Sequence, residues 1–197
     1  MTLDAKKKRV AKKTAAPQRS SLPIFTIGHS NHPIEEFIRL LQAHGVQRVV
    51  DIRTIPRSRH NPQFNADALP ESLHAVGIDY TPMKELGGLR HTTRESINTG
   101  WKNASFRGFA DYMQTPEFSA AIESLIKIAA GKPTAIMCAE AVPWRCHRSL
   151  VADALLARGV DVQHILSATR AQSHAITPFA RVRGLEITYP VQGNLAL

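Results

Sequence analysis

Short, mostly apolar runs alternate along this chain with longer stretches that carry a helical stripe of apolar residues. Residues 23–27 (PIFTI), 47–52 (QRVVDI), 78–81 (IDYT), 134–137 (TAIM) and 162–166 (VQHIL) read as strands. Near-continuous apolar runs of this length suit strands covered on both faces. Residues 33–44 place Ile34, Phe37, Ile38, Leu40 and Leu41 on one helical face, with Pro33 suited to the first turn and Gly45 to the stop. Residues 66–76 read as a second helix, stopped by Gly77. Residues 106–113 and 116–130 form one helix broken at Pro116, or two. A last helix starts near Cys146 and stops at Gly159, with Leu150, Val151, Ala154, Leu155 and Leu156 as its core face. Strands separated by helices predict an α/β fold: a single three-layer domain whose mostly parallel central sheet is flanked by helices. The C-terminal stretch is ambiguous, with a helical turn at 177–180 and an edge strand at 185–189 as its readings. Residues 83–105 show no periodicity, and so long a loop in a compact domain is commonly functional or mobile.

The chain has 197 residues, 43% of them hydrophobic, which fits one domain with a sizeable core. The predicted division is a disordered basic tail over residues 1–21 and the α/β domain over 22–197. The tail holds Lys6, Lys7, Lys8, Arg9, Lys12, Lys13 and Arg19 against Asp4 alone. It therefore carries most of the chain's +9 charge. With almost no large apolar residues, such a segment cannot repay its ordering entropy. It reads either as a nonspecific nucleic-acid-binding arm acting through phosphate neutralisation, or as a solubilising tail. No apolar run approaches the roughly 18 residues of a membrane span, and no secretory signal is read at the start. The expectation is a cytoplasmic protein with reduced thiols, no membrane contact and no cofactor. The oligomeric state is left open.

Three predicted strand ends carry polar residues. His29 and Ser30 follow the first strand, Asp51 and Arg53 the second, and a loop with both cysteines the fourth. In a parallel sheet these ends share one edge, where ligands bind. The cysteine loop carries Cys138, Glu140, Cys146, His147 and Arg148. A thiol before a helix start has its thiolate favoured by backbone N–H groups and the helix dipole, and Arg148 is expected to grip an oxyanion. The bland readings stand beside these. Cys138 reads equally as a small buried hydrophobe, Cys146 as a helix-start packing residue, and His147 as a satisfied core or surface histidine. Glu140 reads as a general acid or base, or as the salt-bridge partner of Arg145 or Arg148. Ser30 reads as the cap of the next helix, and Asp51 with Arg53 as a mutual pair or as the frame of a crevice. Arg57, Ser58, Arg59 and His60 make a basic, hydroxyl-rich loop suited to phosphate. Zinc on Cys138, Cys146 and His147 would need a fourth ligand such as His29, and the spacing matches no standard pattern.

The order strand, cysteine, loop, Arg-Ser at a helix start is similar to the loops of rhodaneses and cysteine-dependent phosphatases. The spacing from Cys138 to Arg148 is longer here, so that likeness implies topology rather than reaction. Over most of the body the chain resembles the prokaryotic DUF488 family, whose function is unknown. The likeness rests on TIGHSN (26–31), VVDIRTIPRSR (49–59) with Phe64, the Leu86-Gly87-Gly88 turn, and MCAEAVPWRCHRS (137–149). It implies a site that includes Gly28, His29, Ser30, Asp51, Arg53, Pro56, Ser58, Gly87, Gly88, Cys138, Glu140, Cys146, His147 and Arg148.

These readings converge on an enzyme, a cysteine-dependent hydrolase or transferase. Cys138, Glu140, Cys146, His147 and Arg148 are its expected catalytic groups, and Gly28, His29, Ser30, Asp51, Arg53, Ser58, Gly87 and Gly88 its substrate-binding groups. The expected partner is an anionic small molecule or nucleic acid. The rivals are a noncatalytic nucleic-acid or nucleotide binder, using the tail with Arg57, Arg59, Arg90 and Arg94, and a Cys/His metal-binding protein.

Overall fold

The structure is a computed structural model that describes residues 22–191. The expected basic tail, with Lys6, Lys7, Lys8, Arg9, Lys12 and Lys13, lies outside the described residues. Five strands run parallel: β1 (Ile24–Gly28), β2 (Arg48–Asp51), β3 (Asp79–Pro82), β4 (Thr134–Cys138) and β5 (Val162–Ser167). A sixth, β6 (Arg170–Ser173), is antiparallel to β5, and the sheet order is β3-β2-β4-β1-β5-β6. The helices are α1 (Ile34–Ala43), α2 (Leu69–His74), α3 (Ala104–Tyr112), α4 (Pro116–Ala129) and α5 (Arg148–Ala157). A separate hairpin of β7 (Arg181–Arg183) and β8 (Glu186–Thr188) follows.

The strands read as unbroken apolar runs because each faces two cores. Along β4, Ala135 and Met137 point to one face and Ile136 and Cys138 to the other. The first face packs on Phe37, Leu40 and Leu41 of α1 and on Leu69 and Leu73 of α2. The second packs on Phe109 of α3, on Phe118, Ile122 and Leu125 of α4, and on Leu150, Val151 and Leu155 of α5. Each such buried side chain contributes about 1.5–3 kcal/mol. This is the expected three-layer α/β architecture.

Several boundaries differ from expectation. Residues 106–113 and 116–130 are two helices: Asn103 caps α3 through Ser105 N–H and Phe106 N–H, and Thr115 caps α4 through Phe118 N–H, with Pro116 in its first turn. The second helix starts at Leu69 rather than at residue 66, with Pro70 in its first turn. Residues 177–180 form a turn closed by Ala180 N–H on Thr177 O, not a helix. The C-terminal strand does not edge the main sheet but pairs with β7. The true edge, β6, escapes hydropathy because it is largely exposed. The last helix begins at Arg148, so Cys146 precedes it, at the end of a 3-10 turn over Pro143–Arg145.

A buried polar chain ties α5 to the sheet and to the C-terminal hairpin. Thr26 Oγ1 bonds His164 Nδ1 (2.7 Å), His164 Nε2 bonds His174 Nδ1 (2.9 Å), and His174 Nε2 bonds Asp153 Oδ1 (2.8 Å). Asp153 also accepts from Thr177 N–H, Thr177 Oγ1 and the Tyr189 hydroxyl. With Asp153 ionised, one proton order satisfies every atom: Thr26 donates to His164, His164 to His174, and His174 to Asp153. Burial first, and then His174, push the His164 pKa down to about 4, which agrees with that neutral order.

Candidate active site

The carboxyl ends of β1, β2 and β4 meet at one edge of the sheet, and a crevice of about 400 Å³ opens there. Cys138, the last residue of β4, forms its floor with Cys146 and His147. Arg53, Thr54 and Ile55 line one wall and Gly88, Leu89, Ser105 and Phe106 another. Ala139, Glu140 and Arg145 stand at the mouth.

The loop from 139 to 147 takes its shape from a close approach and a clamp. Gly28 at the end of β1 lies against the Glu140 carbonyl, where any Cβ would collide. On the other side the Arg148 guanidinium, 1% exposed, donates to the Glu140 and Ala141 carbonyls. The sequence assigned Arg148 to an oxyanion; the structure turns it inward as the loop's brace. It bonds the Glu140 backbone rather than its carboxylate. The Glu140 side chain is exposed at the mouth, with no ion pair to Arg145 or Arg148 among the described residues.

Both cysteines are free and buried yet face the crevice. His147 Nδ1 lies 3.9 Å from Cys138 Sγ and 3.8 Å from Cys146 Sγ, and the three atoms fall within 4.8 Å of one another. The two thiols titrate as a pair. A hydrogen bond from Cys138, followed by His147 and the nearby Arg148 charge, pulls the Cys146 pKa far below that of an ordinary thiol. The same bond, with burial, pushes Cys138 up. Both directions favour charge on Cys146, with Cys138 as the protonated neighbour. His147 is fixed by Phe109, whose ring lies 5.0 Å away, and by Gly88, which leaves no room for a Cβ beside the imidazole.

Behind the floor lies a second layer. Asp51 takes Arg53 in a buried bidentate pair, 2.9 Å from Nε and 2.6 Å from NH2, and also accepts the Tyr80 hydroxyl at 2.8 Å. Arg53 further donates to Phe64 O and contacts His29 Nε2 at 3.2 Å. His29 Nδ1 lies 2.8 Å from Ser30 O, and the ring stacks on Phe64 at 4.2 Å. Burial first, and then Arg53, lower the His29 pKa to about 4, so its neutral form accepts from Arg53. His29, Asp51 and Arg53 thus form one buried unit that aims the Arg53 face at the crevice.

The remaining sequence candidates lie elsewhere. Ser30 does not cap α1, whose N-cap is Pro33; it turns the chain at φ +50 and contacts Asn31. Ser58 accepts from Asn61 N–H and closes its own loop, outside the crevice lining. Gly87 packs against Thr54 and serves the wall without lining the crevice. Arg90 is folded over the Tyr112 ring at 3.7 Å and bonds Gly87 O and Glu85 O, so it is a brace and not a free surface cation. Sequence reasoning missed Ile55, Leu89, Phe106 and Arg145, which give the crevice its apolar walls and a cation at its mouth. Ile55 and Leu89 sit in loops, Arg145 in the 3-10 turn and Phe106 in α3, and only the tertiary fold gathers them.

Two sulfurs and an imidazole nitrogen at these separations are also the start of a soft-metal site. The fourth ligand considered from sequence, His29, is engaged by Arg53 and Ser30. His147 Nε2 is buried without a partner, whereas metal-bound histidines usually anchor the second nitrogen. The donor set therefore fits a resident ion poorly, and elemental analysis of untagged protein decides the point. No helix among the described residues is long and apolar enough to cross a membrane.

Residues 33–155 match the domain of unknown function DUF488. No match is found among curated proteins, and none among solved structures.

Proposed function

We propose that this chain, which belongs to the DUF488 family, is a cysteine-dependent enzyme whose active site is the crevice at the ends of β1, β2 and β4. The observation that carries this reading is the meeting of Cys146 Sγ, Cys138 Sγ and His147 Nδ1 within 4.8 Å on the crevice floor. Cys146 is the nucleophile. Cys138 holds the thiolate by a hydrogen bond, and His147 is placed to move a proton to or from the reacting atoms. The substrate is a small molecule with an anionic group for Arg145 at the mouth and an apolar part for Ile55, Leu89 and Phe106. A phosphate ester, in a nucleotide or a nucleic-acid end, is one such anion. The reaction passes through a covalent adduct on sulfur, the first step common to thiol-dependent hydrolysis, group transfer and exchange at sulfur.

The test is alkylation of the folded protein by iodoacetamide across pH, with each cysteine followed by mass spectrometry. An unperturbed thiol titrates near roughly 8.5. Cys146 is expected to react with a midpoint well below that, while Cys138 resists. If both cysteines resist until the protein unfolds, they are structural and the reading fails.

A further inference from the structure

The crevice contains more sulfur than a single covalent adduct requires. Hydrolysis or transfer at phosphorus or carbonyl carbon uses one thiolate and builds charge on an oxygen, which then needs donors aimed at it. The buried arginine donors here are largely committed, and Arg145 stands apart at the mouth. Arg148 holds two loop carbonyls, and Arg53 spends four of its N–H groups on Asp51, Phe64 O and His29. Exchange at divalent sulfur has a different demand: charge passes from one sulfur to another and no oxyanion forms. It also has a use for a second thiol beside the first, and Cys138 stands within 4.8 Å of Cys146 and lines the same crevice.

We infer that the substrate class of this site is a small disulfide, with Cys146 as the attacking thiol and Cys138 as the resolving one. The inference rests on the nucleophilic reading of Cys146. In the first step the Cys146 thiolate attacks one sulfur of R–S–S–R. A bond forms between Cys146 and that sulfur, the R–S–S–R bond breaks, and one thiolate leaves and takes a proton. In the second step Cys138 loses its proton, with His147 Nδ1 3.9 Å away to receive it, and attacks Cys146 Sγ. The mixed disulfide breaks, the second R–S⁻ leaves, and a Cys138–Cys146 disulfide remains. The substrate gains two electrons and the protein loses two; an external dithiol returns them. The apolar walls of Ile55, Leu89 and Phe106 suit a soft, weakly hydrated group at the point of attack.

The experiment uses full-length reduced protein, bis(2-hydroxyethyl) disulfide as probe, and mass spectrometry with thiol titration. The wild type is expected to lose two hydrogens, form the Cys138–Cys146 disulfide and release two equivalents of mercaptoethanol. Cys138→Ser and Cys138→Ala, each checked for native circular dichroism, are expected to stop at a mixed disulfide on Cys146. Cys146→Ser is expected not to react. If the wild type also stops at the mixed disulfide, Cys138 does not resolve, and the inference fails while Cys146 remains a nucleophile. If iodoacetamide modifies Cys146 and the disulfide does not, the substrate class is wrong and the nucleophile again stands. If neither reagent modifies folded protein, both readings fall.

Discussion

At the scale of single residues, the site is governed by which protons are held. The Cys138 thiol is the largest cause lowering the Cys146 pKa. Cys138→Ala should therefore raise the midpoint of Cys146 alkylation by about one pH unit or more, since a donor to the charged form is lost. Two histidines act on stability in the opposite direction from a histidine that gains an anionic partner. His29 and His164 each have folded pKa values near 4 against an ordinary 6.5, so the unfolded chain binds more protons between those values. Their contribution is complete above pH 6.5 and is lost as pH falls toward 4. Each proton taken up on unfolding adds a slope of about 1.4 kcal/mol per pH unit. Urea midpoints measured from pH 7.5 down to pH 4.5 should fall, and His164→Gln should flatten part of that fall. The presence of these residues was legible in the sequence, because a strand-end histidine or aspartate is visible in the string. Their partners were not. Nothing near His29 in sequence names Phe64 or Arg53 as what it touches.

At the scale of elements, the loop from 139 to 147 is shaped by groups outside the crevice lining. Gly28 admits the Glu140 carbonyl, and Arg148 draws the same turn down from the other side. Gly28→Ala should cost about 1–3 kcal/mol of stability as strand and loop are forced apart. It should also slow Cys146 alkylation, whereas a purely global loss of stability would speed it by exposing the thiol. Arg148→Met leaves two carbonyls unpaired, at a cost of about 2–4 kcal/mol in chemical unfolding. It should move the alkylation midpoint upward as well, because a cation near the thiolate is gone. The irregular stretch after Gly88 is strapped rather than loose. Asp111 of α3 accepts from Thr92 Oγ1, Thr93 N–H, Ser96 Oγ and Asn98 Nδ2. Asp111→Ala should therefore open residues 92–98 to limited proteolysis while leaving the sheet intact. Core strands and helices could be placed from the string because unbroken apolar runs mark the strands and a helical apolar stripe marks the helices. The strap and the clamp could not, since they rest on polar contacts that leave no periodic trace, and β6 could not, since it is largely exposed.

At the scale of the whole molecule, the parallel α/β fold was legible from alternation alone, and with it the edge where a site would lie. The strand order was not. The sequence order β1 to β5 becomes β3-β2-β4-β1-β5, which places the first strand at the middle of the sheet. Asp153 then joins α5 to Tyr189, the residue after the last strand, and Tyr189→Phe should cost about 1–2 kcal/mol and loosen the C-terminal hairpin first, read as faster amide exchange across β7 and β8. The central position of β1 has a consequence for how the chain assembles. Ile24 finds its partner in Thr134, 110 positions later, and β1 takes its other neighbour from β5. A nascent chain that has not yet reached residue 134 holds its middle strand with both edges open, and closure over so long a separation is slow. The pairing that ends this wait also aligns Gly28 with Cys138 and delivers the thiols to the crevice. During refolding, pulsed alkylation should show Cys146 acquiring its acidic midpoint at the same rate at which the β1 amides become protected: the thiol pair is assembled when the sheet closes.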